Sequence, residues 1–461
     1  MSRTRFAAAL VLSAPLATLL GCLAVGAVGC GDDEVFKDDD AGGFDSGTTI
    51  DAGPNPQNDG GDSAAPSGCG NATGAPSRLL LSANVFSPAQ SELVAFNLAD
   101  KKVDGRFGFP GSLGASSSFG TDPYVVEQAK DVVARMNAKR PWESIASWNV
   151  RGDDAKDGGD PNAQPIAIIV PACTNGYVLR FNRNKIAVID TNENVADGGA
   201  VESYVDLTSL VQAEDTDGLV DMTSAVYVAS KKRIYVLLGN YDRTTVAPPD
   251  YTLLCKNTKA TLVAIDTLTG QLASLGGTGP GGSIALEGYN PAVSAPMAYD
   301  AARDRLLVFQ GGCTADVGGV PTITKRSVEE VNLATNQAKT LLQLDDKGFP
   351  GSMVIVDGNR AALTFFFPNQ AFFWDPSLTT LGAEIPGSLD YVTHDGKGNL
   401  LGARRVAVDG GANTEIVSIP FAGNDGGTVD ASAVTTIGEN PFSSPAINAG
   451  FLGGVEVWPR P

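Results

Sequence analysis

The chain is poor in the residues that most often carry out chemistry. It has one histidine, His394, among 461 residues. That excludes His-rich metal centres and the paired-histidine zinc motifs, and it leaves little scope for imidazole acid–base catalysis. Basic residues are scarce as well: 33 Lys and Arg stand against 52 Asp and Glu, a net charge of −19. A surface of that sign repels phosphate backbones, so nucleic acid is excluded as a partner. No CxxC pair, nucleophile elbow or phosphate-cradling glycine loop is present. What is abundant is turn chemistry. The 54 Gly and 27 Pro favour many tight connections over long helices.

The N-terminus reads as an address. Residues 1–5 carry two arginines and no acid, and an apolar run follows over 6–29. A basic start, an apolar middle and small residues at the end describe a secretory signal. Ala27-Val28-Gly29-Cys30 has the form of a bacterial lipobox, and the chain turns polar at once in Gly31-Asp32-Asp33-Glu34. Residues 1–29 are therefore expected to be a lipoprotein signal peptide, with Cys30 lipidated. Leu19-Leu20-Gly21-Cys22 fits the same pattern, so Cys22 is the alternative, and an uncleaved membrane helix is the other reading of the run. Several acyl chains on one cysteine give stable anchoring, where a single chain holds only marginally. The expected location is the bacterial cell envelope, at the periplasmic face or the cell surface of the outer membrane. Residues 30–77 are dominated by Asp, Gly, Ser, Ala and Pro. They offer too little apolar surface to offset the entropy of ordering, so a disordered acidic tether is expected.

From residue 78 the sequence repeats. GYVLRF, the polar turn NRN and KIAVID give strand, turn and strand, with apolar residues in each strand and a marker Asp190 at the end. Equivalent third-strand endings occur at Asn97, Asn149, Asp266, Asn332, Asp375 and Pro420. Each follows a second β-rich run, such as RLLLSANVF, RIYVLLG or RAALTFFF. Spacings between markers are 52, 41, 76, 66, 43 and 45 residues, so a unit of 41–52 residues recurs, with insertions in the fourth and fifth. Four short strands and their turns fill that length, which is one propeller blade. Seven units predict an all-β, seven-bladed β-propeller over residues 78–461. The first unit lacks an inner strand, because the tether runs straight into RLLLSANVF. Residues 443–458 are β-like and belong to no complete unit, so they are expected to complete the first blade and close the ring.

The run GYVLRFNRNKIAVIDTNENV resembles the YVTN-type repeat of quinoprotein amine dehydrogenase-like propellers, and residues 205–243 with 262–270 are similar to secreted bacterial propeller lipoproteins. AYDAARDRLLVFQGG is similar to kelch repeats. The resemblance is strongest over residues 176–342. It implies blades and export, and it implies no particular activity, since such propellers include enzymes, binders and scaffolds.

With Cys22 removed and Cys30 lipidated, Cys69, Cys173, Cys255 and Cys313 remain for an oxidising compartment. Cys255 and Cys313 each follow the second strand of neighbouring units, which places them at one end of the ring and predicts their pairing. Cys69 and Cys173 are assigned to the other end and to each other, with free buried thiols as the alternative. Asp215-Thr216-Asp217-Gly218-Leu219-Val220-Asp221 contains part of a calcium loop, but no Glu stands at its far end. An acidic surface loop is the preferred reading and calcium at Asp215, Asp217 and Asp221 the weaker one; no other cofactor is expected. Asp300, Asp304, Asp357 and Asp395 sit where turns are expected, and Phe365, Phe366, Phe367, Phe372, Phe373 and Trp374 are assigned to the core between blades. Together these features predict a monomeric, lipid-anchored binding or scaffold module for a protein or small ligand, rather than an enzyme. The alternative is a channel-mouth enzyme, either a lactonase-like hydrolase or a quinoprotein-like dehydrogenase. That reading requires several inner-strand carboxylates to converge.

Overall fold

The computed structural model describes residues 76–458, apart from 87–88, 110–121, 155–161, 173–174, 193–198, 243–245, 248–251, 256–257, 292–296, 409–410 and 422–430. The signal segment, the tether and Cys22, Cys30, Cys69 and Cys173 lie outside the described residues. Seven antiparallel sheets follow one another along the chain as the blades of a β-propeller. The inner strands of blades two to seven are Tyr124–Glu127, Pro165–Ala172, Met222–Val228, Ala298–Asp300, Phe349–Asp357 and Leu389–His394. Among the described residues the second blade has three strands and the others at least four. Its outer side is met by Gly199 of the third blade, which bridges Trp148 and accepts the Asn149 N–H at 3.0 Å.

The core is a ring of interfaces between sheets. Seven apolar clusters occur among the described residues, and each joins two consecutive blades. Strand alternation divides each sheet between its two neighbours. Leu79, Leu81 and Ala83 pack toward the seventh blade, while Leu80 packs toward the second. In the sixth blade Phe365, Phe372 and Trp374 face the fifth, and Phe373 faces the seventh. Phe309, Phe365 and Phe372 meet edge to face, with ring centres 5.5 and 5.8 Å apart. The aromatic-rich sequence is thus interior on both sides, apart from Phe367, which is exposed in the turn.

The repeated marker has a local reason. At the end of each third strand the Asn or Asp side chain turns forward and accepts backbone N–H groups of the following turn. Asn97 accepts from Ala99 and Asp100, Asn149 from Arg151, Asp190 from Asn192, Asp266 from Leu268 and Thr269, Asn332 from Ala334 and Thr335, and Asp375 from Ser377. A short carbonyl-bearing side chain at that point replaces a backbone acceptor and fixes the turn. Pro420 ends the seventh unit's third strand with no side chain able to do this.

The ring closes as expected. The strand Phe451–Trp458 pairs antiparallel with Arg78–Phe86 and supplies the inner strand of the first blade, in a register that sets Leu81 opposite Val455. The entry to this strand corrects the sequence reading: Pro445–Asn448 is one helical turn rather than β structure. Ser444 caps it by accepting the Ile447 N–H at 3.2 Å, and Pro445 occupies the first turn, where its missing N–H costs nothing. Ile447 is buried between the seventh and first blades, together with Leu452 and Val455.

Deleting residues 443–461 is expected to unfold or aggregate the whole ring, because it exposes the Arg78–Phe86 edge and an apolar interface at once. Deleting residues 31–60 is expected to leave the melting temperature almost unchanged. Thermal denaturation with light scattering on both truncations checks the pair.

Candidate binding face

Successive strands of a blade run in opposite directions, so the connections sort onto two ends of the ring. Turns from inner to second and from third to outer strand emerge at one end. Connections from second to third strand, and from outer strand to the next blade, emerge at the other. Both long insertions belong to this second end. The fourth blade carries a hairpin of Val246–Ala247 and Thr252–Leu253 between its second and third strands. At the same place the fifth carries Cys313–Val317 and Val320–Thr324. The hairpins are joined: Leu254 bridges Thr314, the Cys255 N–H donates to the Thr314 carbonyl at 3.0 Å, and Cys255 and Cys313 form a disulfide with Cα atoms 5.0 Å apart. The predicted bridge between neighbouring blades is present.

The same end carries exposed apolar tips on four consecutive blades. These are Leu254 on the fourth, Val317 and Val320 on the fifth, Phe367 on the sixth and Val408 on the seventh, 37–60% exposed. Of the large apolar side chains exposed among the described residues, only Leu268 and Leu378 lie at the opposite end. Sequence reasoning missed this crown. Its signal was the Val317-Gly318-Gly319-Val320 hairpin turn, in which both glycines have positive φ.

The acidic segment 215–221 also reaches this end, in the connection from the outer strand Ser203–Asp206 to the inner strand of the fourth blade. It is no surface loop: Asp215 is 8% exposed, Asp221 is fully buried, and one oxygen from each of Asp215, Asp217 and Asp221 lies within 4.8 Å of the others. Two flanking turns clasp it. On the third-blade side Asn184 accepts the Val220 N–H at 2.9 Å and donates to the Gly218 carbonyl at 2.8 Å. On the fourth-blade side Asp221 accepts the Tyr241 N–H at 2.6 Å, and Thr216 donates to Asp242 at 2.7 Å. Burial, with the Asp217 carboxylate next in weight, pushes the Asp215 carboxyl up to about 7.

The acids on the inner strands of blades two, five and seven are ion-paired. Glu127 pairs with Lys130, Asp390 with Arg405 at 3.0 Å and Asn369 at 2.6 Å, and Asp300 with Arg305 at 2.9 Å. Asp304, Asp357 and Asp395 are turn residues, bonded to Tyr299, Asn359 and Lys397 respectively. Asp300 differs in being buried. His394 accepts the Gly396 N–H at 3.3 Å within its own turn.

Glu329 is a further buried acid, on the third strand of the fifth blade. It is fully buried and accepts the Glu287 N–H at 3.0 Å. A Cβ on Gly288 would come within 2.4 Å of its Oε1, so the backbone approaches as closely as only glycine permits. Burial pushes its carboxyl up to about 7 from an ordinary 4.5. Folding therefore binds a proton between those two values. This group's contribution to stability falls as pH rises from 4.5 to about 7 and is level above, by on the order of 3 kcal/mol in all. Glu329→Gln is expected to gain on the wild type by about that amount between pH 5 and pH 8. Urea unfolding of both proteins at the two pH values measures it, and parallel pH profiles would refute the assignment.

No family model and no curated protein matches the sequence. Solved structures do match the fold. Hydrazine synthase of Kuenenia stuttgartiensis aligns over 74% of this chain and 90% of that one, at 16% identity and a TM-score of 0.50. The dihydro-heme d1 dehydrogenase NirN aligns over 82% of this chain and 75% of its own, at 10% identity and TM-score 0.47. The β-propeller domain of Cps50 (Swd1) from Myceliophteria thermophila aligns over 72% and 94%, at 12% identity and TM-score 0.45. At such identities the likeness concerns architecture alone: the chain is a seven-bladed β-propeller.

Proposed function

We propose that this chain is an exported, lipid-anchored binding module that presents the second-to-third-strand end of blades four to seven to a protein partner. The observation that carries the reading is the crown of Leu254, Val317, Val320, Phe367 and Val408, on connections that a disulfide holds together between the fourth and fifth blades. Apolar side chains exposed on neighbouring projecting turns suit the face of another protein, whereas a small molecule is held in a concave pocket. The net charge of −19 gives no attraction to an anionic lipid surface, which favours a protein over a bilayer at this face. Ion pairing of Glu127, Asp300 and Asp390 supports binding over channel-mouth catalysis. The lipobox at Cys30 and the acidic stretch after it support an anchor and a spacer that hold this face away from the membrane.

Two outcomes are expected in cells that produce the protein. Cys30→Ser releases it from the membrane fraction; continued membrane association would move the anchor to Cys22 or to a retained helix. Photo-crosslinking residues placed at Val320, Phe367 and Val408 give one discrete adduct of common mass, while the same probe at Leu268 or Leu378 gives none. Equal crosslinking from both ends would sink the assignment of the face.

A further inference from the structure

We propose that Asp215, Asp217 and Asp221 bind one calcium ion, which ties the connection between the third and fourth blades to the turns on either side of it.

Three observations carry this. The first is convergence. One oxygen from each carboxylate lies within 4.8 Å of the other two. Calcium takes oxygens at about 2.3–2.6 Å, so two ligands of one ion lie up to about 5 Å apart, a span that contains this cluster; magnesium demands a stricter octahedron and gives up its water reluctantly. The second is an orphaned atom. Asp215 is more than nine-tenths buried; its Oδ1 accepts the Asp217 N–H at 3.2 Å, but its Oδ2 is buried with no hydrogen-bond partner. A buried carboxylate oxygen left unsatisfied is costly, and a hard cation is the ligand that fits it best. The third is preorganisation. Asn184 holds Gly218 and Val220 from one side, Tyr241 holds Asp221 from the other, and Asp217 accepts the Leu219 N–H at 3.0 Å, so the loop is shaped without the ion. The site differs from the helix–loop–helix calcium loop in using a short Asp-x-Asp-Gly turn with a third Asp from the root of a strand. A distal bidentate Glu is therefore not required.

The test uses the purified full chain in detergent, treated with EDTA and dialysed. Calcium titrated to 10 mM is expected to raise the melting temperature by about 2 °C or more, and magnesium by less. Calorimetric titration is expected to give one calcium per chain. Asp217→Asn keeps an acceptor for the Leu219 N–H and relieves the repulsion between the carboxylates; it is expected to melt no lower than the wild type without calcium and to lose both the shift and the binding heat. Asp215→Asn, which removes a buried charge, is expected to melt above the wild type without calcium and likewise to lose both responses to calcium. The absence of a calcium-dependent shift and heat in the wild type overturns the proposal, which would leave the Asp215 oxygen to water. A shift that survives in both variants overturns it too, and would place calcium elsewhere, as in the acidic stretch before residue 78.

Discussion

Everything in this molecule depends on each sheet being sandwiched between two others. A four-stranded sheet of this size cannot stand alone in water, and no blade here has a face to spare for solvent. The seven clusters are therefore one continuous constraint. Alternate residues of a single strand answer to different neighbours, as Leu79 and Leu80 do. The constraint also explains where variety is tolerated. Insertions leave the sheets alone and accumulate in connections at the ends, which is where the two disulfide-linked hairpins stand.

Much of the architecture was legible because propeller strands are short, apolar and bounded by turn chemistry. The second and third strands of every unit could be read from their β-rich runs and from the Asn or Asp that ends the third. The structure shows that marker holding the next turn in six units. Closure by the C-terminus followed from counting: one inner strand was missing at the start and one was spare at the end.

What was not legible is burial of polar groups. Asp215 and Asp221 sit in a stretch with the composition of a solvated loop, and nothing local tells that two turns from separate blades close over it. Glu329 occupies a slot on the same side of its strand as Val331, and VEEV gives no sign of which acid faces inward. The helical turn Pro445–Asn448 was signalled by Ser444 before Pro445, a cap and a first-turn proline, but the β-like residues on both sides outweighed it. The exposed crown was hidden for a different reason. Exposure at a hairpin tip depends on which end of the ring the tip leaves from, and only topology decides that.

The pairing of residues 78–86 with 451–458 imposes an order of events on synthesis. The first strand to be made has no inner partner until the last one has been added. Until residues 451–458 are made, the first blade has an open edge and the interface with the seventh is unfilled. The compact ring therefore cannot form until its final strand is available, and everything between the two paired segments has to be in place first.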